Sequence, residues 1–252
     1  MMPWYLHPAF RPARLQDLVL WVNSSSIFGT TWQNLAPRYS NVNHGRIVGA
    51  HAGELLHPSG KFGSALSFLG DDYVDCGNDE SLNITDAITI EAWVNAETIP
   101  TGNAIEQLVT KQCAYVLSWD HISTGGTAFW IYDGSWHNSG SGITPSSNVW
   151  HHLVGIYDGN NISLYIDGAL ASSEPIGSTT IATNANNLYI GSGVLTSYFN
   201  GTIDEVRIYA GALSGAEVMH NYTHSPIYYM QRGIDPLELL AMSPKEISRV
   251  VA

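Results

Sequence analysis

The stretch VWHHLVGIYDGNNISLYIDG, residues 149–168, constrains the fold more than any other part of the chain. Before the cluster Asp158-Gly159-Asn160-Asn161, Leu153, Gly155 and Tyr157 share one face, and His152, Val154 and Ile156 the other. After it, Ile162, Leu164 and Ile166 share a face, with Ser163, Tyr165 and Asp167 opposite. Alternation with period two, carried by β-branched and aromatic residues, specifies strands. The cluster between them tolerates positive φ and makes the pair a hairpin. Asp167-Gly168 is a second turn, which returns the chain through residues 169–174 as a third strand. Both faces carry apolar residues, so this meander belongs to a sheet covered on both sides.

The same residues carry a resemblance. Trp150-His151-His152-Leu153-Val154-Gly155-Ile156-Tyr157-Asp158-Gly159, then Leu164-Tyr165-Ile166-Asp167-Gly168, resembles the central signature of laminin G-like (LamG) jelly-roll domains. These belong to the concanavalin A-like lectin and glucanase superfamily. Four segments agree in the family's order: residues 60–68 (GKFGSALSF), 71–74 (DDYV), 88–94 (ITIEAWV) and 199–209 (FNGTIDEVRIY). The match runs from about Leu18 to about Tyr222. It implies an all-β fold, a two-sheet antiparallel β-sandwich of the jelly-roll kind. It does not imply one function, because this fold hosts lectins, adhesion modules, hydrolases and lyases.

The rest of the chain fits that reading. Strand patterns recur at 18–22, 46–50, 65–69, 72–76, 88–95, 105–110, 114–119, 127–132, 187–191 and 203–209, punctuated by Pro100, Gly102, Gly125-Gly126 and Pro145. A sandwich of this length is one domain, placed at residues 17–222. Residues 1–16 form a separate arm, in which Pro3, Pro8 and Pro12 break any helix and Trp4, Tyr5 and Phe10 are apolar anchors. Ser214-Gly215-Ala216-Glu217 fits a capping box that opens a short helix to about Tyr222. Asp235-Pro236-Leu237-Glu238 and Ser243-Pro244-Lys245-Glu246 predict two more short helices in an apolar tail, residues 223–252. Helices this short need a surface to pack on, either the domain itself or a neighbouring subunit. The neighbour is the expectation, and with it a homo-oligomer.

Composition excludes partners more than it identifies them. A formal net charge of −12 argues against nucleic acid and against anionic membranes, which call for a basic footprint. No run approaches the length of a transmembrane helix, and the N-terminus shows no apolar signal-peptide core. Cys76 and Cys113, the only cysteines, are either paired or two free thiols.

Catalysis needs groups that the motifs do not supply. Glycosidases place two carboxylates across the scissile bond. The central strand offers only Glu91, and Asp71-Asp72 and Asp204-Glu205 are adjacent pairs expected to face opposite sides of a strand. There is no Gly-x-Ser-x-Gly elbow, and His151-His152 lacks the partners of a zinc site. The resemblance implies a structural Ca²⁺ between an early loop and the last strand, with Asp204 at the matching position. Gly45 is then the early carbonyl donor, and Asp71 or Asp72 a further candidate. For ligand binding, residues 129–138 (FWIYDGSWHN) carry aromatic rings and flanking polar groups of the kind that hold sugars. Trp136 and His137 lie there in a Gly/Ser-rich loop, Trp130 and Tyr132 in the strand before it, and Trp119 at a neighbouring strand end. The expected function is a non-catalytic recognition or assembly module that binds a glycan or other surface ligand. Its expected setting is a virion or an extracellular surface. The competing class is a glycoside hydrolase or lyase of the same superfamily.

Overall fold

A computed structural model describes residues 13–23, 26–49, 56–98, 105–120, 125–140, 142–193 and 197–223. In chain order the strands are β1 (Leu18–Val22), β2 (Ile27–Phe28), β3 (Thr31–Trp32), β4 (Gly45–Val48), β5 (Leu56–Gly60) and β6 (Gly63–Leu69). Then come β7 (Tyr73–Asp75), β8 (Ile88–Ala96), β9 (Ile105–Lys111), β10 (Tyr115–Asp120), β11 (Gly126–Tyr132) and β12 (Trp136–Asn138). The last are β13 (His151–Tyr157), β14 (Asn161–Ile166), β15 (Ala169–Pro175), β16 (Leu188–Ile190) and β17 (Asn200–Tyr209), followed by one helix, α1 (Gly215–Thr223).

The strands form two antiparallel sheets. Sheet I runs β15-β14-β13-β8-β17-β6-β5, with β1 also paired to β17. Sheet II runs β12-β11-β10-β9-β16-β7-β4-β3-β2. The meander is β13-β14-β15, in the register the alternation requires: Gly155 faces Leu164 and Leu153 faces Ile166. The main core lies between the sheets. Ile90, Ala92, Val94, Leu153, Leu164 and Ile203 from sheet I meet Val74, Val109, Leu117, Trp119, Phe129 and Ile190 from sheet II. Gly155 is a glycine because Phe129 occupies its side-chain space: a Cβ there would sit 2.3 Å from the ring. Trp93, Val94, Leu153, Ile156 and Leu164 are buried, while Ile166 at the end of β14 is half-buried.

Sheet I is covered on its outer face as well. Val154, Ile156 and Tyr209 join Leu18, Trp21, Ala36, Leu213 and Val218 in a second, smaller apolar cluster. The capping box forms: Glu217 accepts from the Ser214 backbone N–H at 2.7 Å and hydroxyl at 2.8 Å, while Ser214 Oγ accepts from Glu217 N–H at 3.3 Å. This fixes where α1 starts. The two ends of the described domain also meet here. Ala13 donates its N–H to Asn221 at 2.7 Å, and Arg14 donates to the Ala212 carbonyl at 2.6 Å. The arm before residue 13 and the two helices expected within 226–252 lie outside the described residues. Cys76 and Cys113 are free thiols.

Four short strands escape the sequence pattern, namely β2, β3, β5 and β12. β2 and β3 have two residues each, too few to show an alternation, β12 follows directly on the turn residues Asp133-Gly134-Ser135, and β5 (LHPSG) contains a proline. β12 matters most, because it turns the expected loop at Trp136 into the edge of sheet II.

Candidate functional site

The outer face of sheet II carries a groove of about 250 Å³ lined by Ile105, Gln107, Gln112, Val116, Ser118, Trp130 and Trp136. Pairing register explains the set. In the β11-β12 hairpin Trp136 pairs with Tyr132 and Asn138 with Trp130. With period two, Trp130, Tyr132 and Trp136 all stand on the outer face, while Phe129 and Ile131 enter the core. Trp136 and Trp130 meet edge to face at 6.4 Å, and Tyr132 supports Trp136 from 5.1 Å. Trp136 is still 38% exposed. A ring that is braced by neighbours and yet open to solvent is the arrangement that stacks on an apolar ligand face at low entropic cost. The polar side chains beside it, Gln107, Gln112 and Ser118, are uncharged amides and a hydroxyl.

Two sequence-expected ligand residues belong elsewhere. Trp119 is fully buried and stacked on Phe199 at 5.9 Å, because it alternates with Ser118 and takes the inner face of β10. His137 pairs with Ile131, on the opposite face from Trp136. Its ring meets Asp133 at 3.0 Å, and Asp133 also accepts from the Thr179 hydroxyl at 2.6 Å and from Ser135 N–H. The bond from Thr179, ahead of those from Ser135 and His137, holds the Asp133 carboxyl below its ordinary range. His137 therefore fastens the hairpin turn.

A buried cluster of charge lies on the outer face of sheet I, beneath α1. Glu91 is bonded by Arg207 at 2.6 Å, by the Tyr209 hydroxyl at 3.1 Å and by Asn221. Arg207 also bonds Glu205, which takes the Trp21 indole N–H at 3.1 Å. Burial pushes Glu91 up, but the Arg207 charge and the nearby His152 ring override it and bring the carboxyl to about 2. For Glu205 burial wins over Arg207, and its carboxyl is raised. Asp204 and Glu205 were expected on opposite faces. A bulge between Asp204 and Arg207, with Glu205 at φ 52°, instead turns both toward the outer side. These carboxylates have no solvent access, so they hold the sheet and α1 together.

The calcium candidates occupy separate places. Asp204 is buried on β17, accepting from Phe62 N–H at 3.0 Å and from Glu205 N–H at 2.9 Å, which pins the β5-β6 turn. Gly45 is in β4 of the other sheet, where a Cβ would sit 2.3 Å from Val74, so packing accounts for the glycine. Asp72 is buried against Gly49. Among the described residues no group of three or more His, Cys, Asp or Glu is placed to hold a metal ion.

The histidine pair divides as a strand requires. His152 lies under α1, 3.4 Å from Glu91. His151 Nδ1 is 2.7 Å from Asp167, and its Nε2 is 3.2 Å from Ser146 Oγ. That is the connectivity of an acyl-transfer relay. However, the second Asp167 oxygen accepts from His152 N–H at 2.9 Å, and Ser146 is not among the residues that line the Trp136 groove. The trio ties the turn before β13 to the end of β14. A groove on the far end of sheet I, lined by Ser67, Asn95, Glu97 and Thr202 among others, has no aromatic wall.

A family model described as the concanavalin A-like lectin/glucanases superfamily, of the laminin G type, matches residues 68–219. The chain belongs to that superfamily. No curated protein matches it. Among solved structures it is similar to domain 4 of AbnA, a GH43 extracellular arabinanase from Geobacillus stearothermophilus, in complex with arabinotriose. That likeness has a TM-score of 0.65 and 20% identity, covering 82% of this chain and 98% of the other. The binding domain of Paraclostridial Mosquitocidal Protein 1 aligns with a TM-score of 0.63 and 16% identity, over 85% of this chain and 53% of that one. Trypanosoma rangeli sialidase aligns with a TM-score of 0.54 and 16% identity, over 82% of this chain and 32% of the enzyme. The chain thus spans about half of the toxin binding domain and a third of the sialidase. At these identities the likeness establishes the two-sheet jelly roll and nothing finer. No helix among the described residues is long and apolar enough to cross a membrane.

Proposed function

We propose that this chain is a carbohydrate-binding module whose ligand lies on the outer face of sheet II, against Trp136 and Trp130. The observation that carries the reading is the braced, exposed Trp136 ring beside uncharged amides and a hydroxyl in one groove. Sugars offer apolar C–H faces to a ring and hydroxyls to side chains, so such a lining suits them. The arabinotriose held by domain 4 of the arabinanase lends support, since that domain has the same overall fold.

The layout favours binding over hydrolysis. The buried carboxylates Glu91, Glu205 and Asp204 sit on sheet I, on the other side of the sandwich from the groove. Both ends of the described domain, near Ala13 and Thr223, lie on the sheet I side, opposite the groove. In this reading the module is displayed on an extracellular or virion surface, with arm and tail as its attachment to neighbouring subunits. A panel of neutral oligosaccharides, arabinotriose included, tests it: binding is expected without product release. Hydrolysis of any member would place the chain with the enzymes, and no binding across the panel would remove the reading.

A further inference from the structure

The groove is one end of a longer feature. Pairing register places Trp130 opposite Val116, Val116 opposite Thr110, and Thr110 opposite Tyr189, in a straight row over β11, β10, β9 and β16. Alternation turns all four side chains outward: Phe129 and Ile131 flank Trp130 in the core, and Leu188 and Ile190 do the same for Tyr189. The row is tall, low, low, tall. Val116 retains a little exposed surface and Thr110 none, so the middle of the row lies low, while Trp130 and Tyr189 are half-buried walls. Tyr189 is braced as Trp136 is, with the Tyr73 ring edge-on to it at 5.5 Å. Three strand steps separate the walls, about 14 Å at the usual spacing of neighbouring strands.

On this basis we infer that Tyr189, backed by Tyr73, is a second stacking subsite, and that the ligand is an uncharged linear oligosaccharide laid across the strands. The inference rests on the reading of the Trp136 groove as a glycan site. A single sugar ring cannot reach both walls, whereas an extended chain meets Trp130 and Trp136 at one end and Tyr189 at the other. The low middle of the row suits such a chain. Val116 is the apolar contact between the walls, while Thr110 is fully buried with its hydroxyl engaged with Gln107 at 2.9 Å, so the middle of the ligand is spanned without being gripped. Charge selects against anionic sugars: no described residue lining the groove is charged, and the chain carries a formal net charge of −12. The next pair along the row, Asp75 and Arg46, stands 4.0 Å apart beyond Tyr189 and closes the platform with opposite charges.

Isothermal titration of the full chain with neutral arabino-, xylo- and cello-oligosaccharides, from disaccharide to hexasaccharide, tests the subsite. In the series that binds, affinity is expected to rise once the chain is long enough to span both walls. Tyr189→Ala should remove that gain, by roughly five- to tenfold, and leave disaccharide affinity unchanged. Tyr189→Phe should restore it, because the ring does the stacking. Tyr73→Ala, read beside the melting temperature of each variant, gives a second removal of the same support. Binding that does not depend on chain length, or that falls equally for short and long ligands in Tyr189→Ala, overturns the second subsite while leaving the Trp136 site standing. Absence of binding by every oligosaccharide overturns both.

Discussion

Asn221 in α1 donates its amide to both carboxylate oxygens of Glu91 in β8, at 3.1 and 3.0 Å, across 130 positions of sequence. Its own carbonyl oxygen takes the Ala13 N–H. One side chain thus joins the helix, the central strand and the start of the domain. Hydrogen bonds to buried charged groups are worth about 1.5–3 kcal/mol each. Asn221→Ala should therefore destabilise the domain by about 2–4 kcal/mol in urea unfolding. A change within experimental error would mean that α1 is held by its apolar face alone.

Glu106 gives a prediction in pH. Burial pushes its carboxyl up from 4.5 to about 7, against a hydrogen bond from Asn200 N–H. The folded state then keeps a proton that the unfolded chain releases. The resulting stability is full below the unfolded value and is lost as pH rises through about 7. Glu106→Gln keeps an acceptor for Asn200 and cannot ionise. Relative to wild type, its melting temperature should rise between about pH 5 and about pH 8. A difference that stays constant over that range would show that Glu106 titrates normally.

Asp204 lets the expected calcium be tested against the hydrogen bonds observed. Both of its oxygens accept buried backbone N–H groups, from Phe62 and Glu205. The domain should therefore melt at the same temperature in EDTA and in added Ca²⁺, while Asp204→Ala lowers that temperature in either buffer. A melting point that falls in EDTA and recovers with Ca²⁺ in wild type but not in Asp204→Ala would establish the metal site instead.

How much of this was legible in the sequence depended on length of pattern. Strands β13 and β14 carry five or more alternating positions, and their faces follow directly from the residues. β12 has three residues directly after Asp133-Gly134-Ser135, so it reads as loop and the hairpin that presents Trp136 was not legible. Alternation carried to the end of β10 would have placed Trp119 in the core, whereas His137 could be placed only once β12 was seen as a strand. The sequence also gave no hint of the Trp130–Tyr189 row, because those residues lie far apart in the chain and only pairing register aligns them. The Asp204-Glu205 pair misled for a local reason: a bulge cancels the alternation there.

If Trp136 is a sugar platform, its ring should matter to binding far more than to folding. Titration of wild type and Trp136→Ala with the tightest neutral oligosaccharide, alongside thermal melting of both, measures this directly. The expected result is an affinity loss of at least about tenfold, corresponding to about 1.4 kcal/mol, with partial retention in Trp136→Phe and a melting temperature within a few degrees of wild type. Equal affinity for wild type and a well-folded Trp136→Ala would contradict it.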